Sequence, residues 1–132
     1  MTQKQQKLGE WNQLKYHLDS RRDRLPLVKE QEVWWCALGE NIGVEINGKG
    51  TRFTRPAVML KKLGSESFLI VPLTSKYKKG SWYVPFRFLG KTEVAVLSQI
   101  RVISTRRIYR QLGTIDDSDF LTIKTAFHEL YR

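Results

Sequence analysis

One cysteine, two histidines and no apolar run of membrane length exclude much before any motif is read. Cys36 alone can form neither an internal disulfide nor a multi-cysteine metal cage, which fits a reducing cytoplasm. In "VWWCAL" it reads as a small buried apolar side chain rather than a reactive thiol. His17 and His128 fall on two separate predicted helices without a second ligand at i+4. Metal chemistry is therefore poorly supported, and nothing brings two imidazoles to one phosphate as a two-histidine ribonuclease requires. No segment reaches the roughly 20 apolar residues that span a bilayer. The polar start "MTQKQQKLGE" has no signal-peptide core. "GEN", "NGKG" and "LGK" do not lie between a strand and a helix, so no phosphate-cradling glycine loop is present. No Ser/His/Asp or Cys/His arrangement stands out. The expectation is a cytoplasmic protein with no metal, no cofactor and no membrane contact.

Acidic residues are scarce too: 13 against 23 Lys and Arg, for a formal charge of +10 and a pI near 9.9. A surplus of this kind can serve solubility alone. Here the cations cluster, as Lys49, Arg52 and Arg55, as Lys76, Lys78 and Lys79, and as Arg101, Arg106, Arg107 and Arg110. Clustered cations neutralise phosphates and release counterions, so a nucleic acid is the expected partner. Phe53, Tyr77, Trp82 and Tyr83 interleave with the clusters, as base-stacking aromatics do.

The 132 residues, 41% of them hydrophobic, suit one globular domain with a real core. Trp11, Leu14 and Leu18 repeat at helical spacing and predict a helix over residues 8–19. A charged connector broken by Pro26 follows. The period then changes to that of strands: "EVWWCAL", "RPAVMLKKL", "SFLIVPL", "WYVPFRF" and "TEVAVLSQI". Asn47-Gly48, Gly64-Ser65 and Gly90-Lys91 read as turns between them. The continuous apolar run of "SFLIVPL" predicts burial on both faces. Asp116 to Ser118 can cap a last helix whose apolar face is Phe120, Ile123, Phe127 and Leu130. Short antiparallel strands with glycine turns predict a small barrel or strongly curled sheet, with an N-terminal helical extension over residues 1–30 and the main body over 31–132.

Within that pattern "TRFTRPAVMLKKLG" stands out. Pro56 belongs at a strand start or on an edge, and it forces Arg55 into extended geometry. Thr74 ends the next apolar strand as Arg55 begins the first. A hairpin through Gly64-Ser65 would set the two side by side. An arginine fork and a hydroxyl at one point suit phosphoryl chemistry, since guanidinium meets phosphate bidentately and stays charged. A surface arginine beside a turn threonine is the competing reading.

Four blocks in order, "VWWCALGENIGVE", "RPAVML", "VPLTSK" and "VAVLSQIRVIS", with a weaker fifth in "LGTIDDSDFLTIKTAF", resemble the MazF/PemK family of toxins from toxin–antitoxin pairs. The resemblance implies an α+β fold, a small SH3-like antiparallel barrel with a C-terminal helix, to which this chain adds its N-terminal helix. It implies a homodimer that cleaves single-stranded RNA without a metal and is neutralised by an acidic cognate antitoxin. Carried over by position, Arg55 and Thr74 match the catalytic arginine and threonine. Glu45 matches the acidic residue of the first loop. Gln99 and Arg101 match the "QIR" element that supports the site. Lys49, Arg52, Ser75, Lys76, Lys78, Lys79 and Ser98 would complete the RNA grip. The chain departs from the family in a longer segment between Glu45 and Arg55, and in Ser98 and Ser104 where carboxylates are common. A non-catalytic nucleic-acid-binding relative and a same-fold toxin that inhibits a topoisomerase are the alternatives.

Overall fold

A computed structural model describes residues 1–132. Helix α1 spans Gln3–Asp19 and starts well before the apolar stripe does. Its first turns are polar and exposed, so periodicity is silent there. A capping box sets the start instead: Gln5 N donates to Thr2 Oγ1 (3.1 Å) and Thr2 N to Gln5 Oε1 (2.8 Å). Trp11 and Leu18 are buried and Leu14 packs beside them.

Seven antiparallel strands follow: β1 Glu32–Ala37, β2 Thr54–Gly64, β3 Ser67–Thr74, β4 Tyr83–Phe88, β5 Lys91–Val96, β6 Arg101–Ser104 and β7 Ile108–Thr114. Their order is β4-β5-β3-β2-β1-β7, with β6 added beside β3. Along one edge β3 changes neighbour, pairing β6 through Ser67–Ile70 and β5 through Leu73 and Thr74. Register shifts in β1–β7 and β2–β3 curl the sheet. It does not close, so the expected barrel is an open, strongly curled sheet, with β4 and β7 as its ends. The edge strand β7 escapes a sequence reading because "IYRQLGT" is mostly polar and half-exposed.

Both faces of the central strands are covered. Val58, Leu60, Val71 and Leu73 face one core with Phe86, Ala95 and the Phe120–Ile123 face of α2 (Asp117–Leu130). Ala57, Met59, Phe68 and Ile70 face a second core with Trp34, Cys36, Ile103 and Ile108. The unbroken apolar runs of β2 and β3 follow from this two-sided burial. Cys36 is fully buried, and burial pushes its thiol pKa up. No helix is long and apolar enough to cross a membrane.

Asn47-Gly48 is not a hairpin turn. Residues 38–53 form an irregular loop whose reversal lies at Gly50–Phe53, closed by a Lys49–Thr54 bridge with 2.8 and 2.9 Å hydrogen bonds. Gly50 and Phe53 supply the positive φ values (75° and 52°). Gly48 is needed for space instead: a Cβ there would lie 1.7 Å from Phe53 O. The β4–β5 connection is a two-residue turn one residue earlier than the expected Gly90-Lys91 pair: Leu89 and Gly90 are both at positive φ (50° and 79°), and Lys91 already pairs with Phe88.

Candidate functional site

Proline sets the geometry from which the site is built. β2 begins with Thr54, Arg55 and Pro56, and Pro56 sits opposite Trp35 of β1. Ala57 pairs with Pro72 of β3, so extending that register by two residues carries Arg55 to Thr74. Both side chains line one open pocket with Lys49, Lys76, Lys78, Tyr83, Ser98 and Gln99, walled by Val44, Ile46 and Val96.

Arg55 is half-buried, and two backbone carbonyls hold it: Nε donates to Asn47 O (2.8 Å) and Nη1 to Leu73 O (3.2 Å). It forms no ion pair with a carboxylate, and Nη2 has no protein partner. Burial lowers its pKa from the ordinary value, yet a guanidinium stays charged at neutral pH. Thr74 is buried, and its Oγ1 accepts from Lys76 N (3.2 Å), which leaves the hydroxyl proton free to donate. Three lysines, an uncompensated guanidinium and a free hydroxyl therefore surround one space without a carboxylate or imidazole. That is an anion site by charge and by donor count.

The remaining residues divide. Gln99 ties the loop wall in place, accepting from Ile46 N (3.0 Å) and donating to Val44 O (3.1 Å). Ser98 lines the pocket, and Ser75 lines an adjoining hollow that shares Arg55 and Lys49. Arg52 stands apart in a third hollow with Trp35, Thr54, Tyr109 and Arg110, its guanidinium 5.2 Å from the Tyr109 ring. Lys79 is exposed and lines none of the three. Arg101 donates to Leu38 O (3.3 Å) and so braces the start of the loop. Glu45 is not among the lining residues, because its carboxylate accepts from Ile42 N (2.9 Å) and closes a turn of its own loop.

Two residues were not singled out from sequence. Tyr83, named only among the aromatics, lines the pocket itself. Glu93, buried and 3.4 Å from Lys91, is the one carboxylate lining either of the two adjoining hollows and lies in the one beside the Arg55–Thr74 pocket. Neither has a local sequence signal of its role, since Tyr83 on β4 and Glu93 on β5 reach these hollows only once the sheet has formed. Phe53, by contrast, is core: it is buried with its ring 5.7 Å from Trp11 and is closed to stacking on a base.

Comparison with solved structures gives the class. MazF from Deinococcus radiodurans aligns with a TM-score of 0.66 at 21% identity, over 82% of this chain and 97% of that one. A mycobacterial endoribonuclease, solved in complex with its cognate antitoxin, aligns at 0.61 and 14% identity over 78% and 93%. The Mycobacterium tuberculosis toxin MazF-mt6 aligns at 0.59 and 15% identity over 76% and 95%. At these identities the likeness establishes the fold, a MazF-like one. No curated protein sequence matches. The sequence model of the PemK-like, MazF-like toxins of type II toxin–antitoxin systems matches residues 29–131, and the chain belongs to that family.

Proposed function

We propose that the protein is a toxin endoribonuclease that cleaves single-stranded RNA, with the Arg55–Thr74 pocket as its active site. The observation that carries this reading is the half-buried Arg55 guanidinium, held by carbonyls and left without a counter-ion among three lysines. A charge so placed awaits an anion. In RNA the nucleophile is built into the substrate: the ribose 2′-OH attacks the adjacent phosphorus, the bond to the 5′ oxygen breaks, that oxygen takes a proton from solvent water, and a 2′,3′-cyclic phosphate remains. The protein has to align these atoms and stabilise the charge that grows on the non-bridging oxygens. Arg55 supplies the charge through Nη2, and Thr74 donates its hydroxyl proton. Glu93 is the carboxylate assigned to take the 2′-OH proton, while Glu45 shapes the loop. Lys49, Lys76 and Lys78 hold flanking phosphates, with Ser75, Ser98 and Gln99 at the rim; Arg52, Lys79 and Arg101 act on the strand further out or through the fold.

The partner that restrains such a surface is an acidic antitoxin segment that folds into the pocket, in the cytoplasm where the RNA is. A homodimer would set two such pockets on one particle. The deciding experiment is incubation of the purified protein with a long single-stranded RNA in a chelator. Discrete fragments ending in cyclic phosphate are expected. Tight binding without cleavage would move the assignment to a non-catalytic RNA-binding relative, and neither binding nor cleavage to a toxin acting by protein contact.

A further inference from the structure

Helix α1 lies outside the segment matched by the family, yet it grips the loop that holds Arg55. Trp11 packs so closely on Gly39 that a Cβ there would meet the indole at 2.2 Å. The same ring faces Phe53 at 5.7 Å, and the Arg107 guanidinium lies 5.4 Å from it. Phe53 O in turn accepts from Leu38 N (2.9 Å) and Gly39 N (3.2 Å), so Trp11 clamps both ends of the loop. In the first turn of the helix, Lys4 Nζ donates to the Glu40 carboxylate and to Asn41 O. Glu40 is buried, and Lys4 is its one ionic partner.

From there a chain of hydrogen bonds runs to the pocket. Asn41 N donates to Asn47 Oδ1 (2.6 Å), and Asn41 Nδ2 donates to Leu38 O (3.0 Å) and Ile46 O (2.8 Å). Gly48 N donates to Gly39 O (2.8 Å), which fixes the backbone on the far side of Asn47. Asn47 O then accepts the Arg55 Nε proton. The other end of α1 is locked to the body, because Arg21 donates to Arg106 O and Ile108 O while Arg106 donates to Asp19 O and Arg21 O. A helix anchored at one end and bonded to a loop at the other is a brace.

We propose that α1 is a positioning element for the active site: Lys4 and Trp11 set the 38–53 loop, and through Asn41 and Asn47 that loop aims the Arg55 guanidinium. This rests on the assignment of the Arg55 pocket as the site of RNA cleavage. Lys4 is a positioning residue, since it touches no substrate. Taking it away leaves the Glu40 carboxylate buried without its partner and frees Asn41 O, which loosens the loop at the point nearest the helix.

The test uses the full chain with Lys4→Ala, Lys4→Arg and, as control, Lys7→Ala on the exposed side of the same helix. Amide exchange at Asn41 and Gly48 is followed with the Arg55 Nε–H signal by NMR, and cleavage in single turnover at saturating RNA. In Lys4→Ala, loop exchange should quicken about tenfold while core amides such as that of Met59 keep their protection. The Arg55 Nε–H should shift or broaden, and the cleavage rate should fall about tenfold, as misplacement of a catalytic group does. RNA affinity should change little. Lys4→Arg should recover most of the loss, and Lys7→Ala should match the parent. Unchanged loop exchange, or core amides loosening by the same factor, would overturn the proposal, as would a looser loop with parental cleavage. If the parent itself cleaves no RNA, the proposed function fails by that result, while an unmoved Arg55 Nε–H in Lys4→Ala would separately remove the link from helix to arginine.

Discussion

Carbonyl oxygens rather than a carboxylate hold Arg55, and the difference decides what the side chain can do. A carboxylate would spend the charge inside the protein. Two carbonyls orient the fork and leave the charge to act outward. Arg55→Ala strips Asn47 O and Leu73 O of a donor, which should cost about 1–3 kcal/mol of stability. Loss of transition-state charge stabilisation should cost about 10²–10³ in single-turnover rate, the larger effect. The expected result is a folded, RNA-binding protein with cleavage down at least a hundredfold, and parental cleavage would make the arginine a structural brace. Arg55→Lys should not restore the rate, because an ammonium lacks the planar fork. Thr74→Val should lose less than Arg55→Ala, since the donor removed is neutral. Glu93→Gln should lower the rate by about 10² if Glu93 receives the 2′-OH proton, within the span of general-base catalysis.

Among the elements, the 38–53 loop is the least regular, and it supplies Val44, Ile46 and Lys49 to the pocket and the Asn47 carbonyl to Arg55. Its shape depends on close backbone approach, as two of its glycines make plain. At Gly48 a Cβ would meet Phe53 O at 1.7 Å, so Gly48→Ala must push residue 48 away from the Phe53–Thr54 backbone and strain the adjoining Lys49–Thr54 bridge. Rigid backbone strain of this kind should cost about 2–4 kcal/mol, and the pocket wall should shift with it. Gly43 has open space around it and a φ of +56°, so Gly43→Ala should cost about 1–2 kcal/mol from its left-handed backbone alone. Denaturant midpoints of the two variants, with cleavage rates beside them, check this contrast. Equal losses would mean that the loop relaxes freely around Gly48.

Over the whole molecule the charge of +10 is not one surface. Arg101 and Arg107 bond the backbone of Leu38 and Ala37, and Arg21 and Arg106 bond each other's segments, so much of the C-terminal basic cluster braces the fold. Lys49, Lys76 and Lys78 line the pocket, and under the proposed function they are the cations left to meet phosphate. For a single strand, log K should fall with log salt by about 0.7 for each phosphate neutralised. Replacing Lys76 and Lys78 together by Ala should therefore flatten the slope by about 1.4, and Lys79→Ala should change it less. Binding titrations between low and moderate salt measure this. An unchanged slope in the double variant would place the RNA on another face.

Local chemistry written along the chain determined a good deal by itself. Apolar runs marked β1 to β5, Gly90 placed the β4–β5 hairpin to within one residue, and Phe120 and Ile123 marked the buried face of α2. Each is a periodicity or a turn preference, and those act over a few residues. Arg55 before Pro56 and Thr74 at the end of β3 were legible because one hairpin joins them, although its turn lies at Ser65 and Glu66, one residue beyond the expected Gly64-Ser65, and two register shifts along the strands restore the pairing. The rest depended on contacts between distant segments. That β3 exchanges β6 for β5 halfway along, leaving the sheet open, is a matter of packing two cores against one strand. Phe53 became core because α1 covers it, and Glu45 turned into its own loop because the backbone of 42–45 reverses there. The brace from Lys4 to Arg55 crosses more than fifty residues of sequence through single hydrogen bonds, which carry no periodicity and show only once the chain has folded.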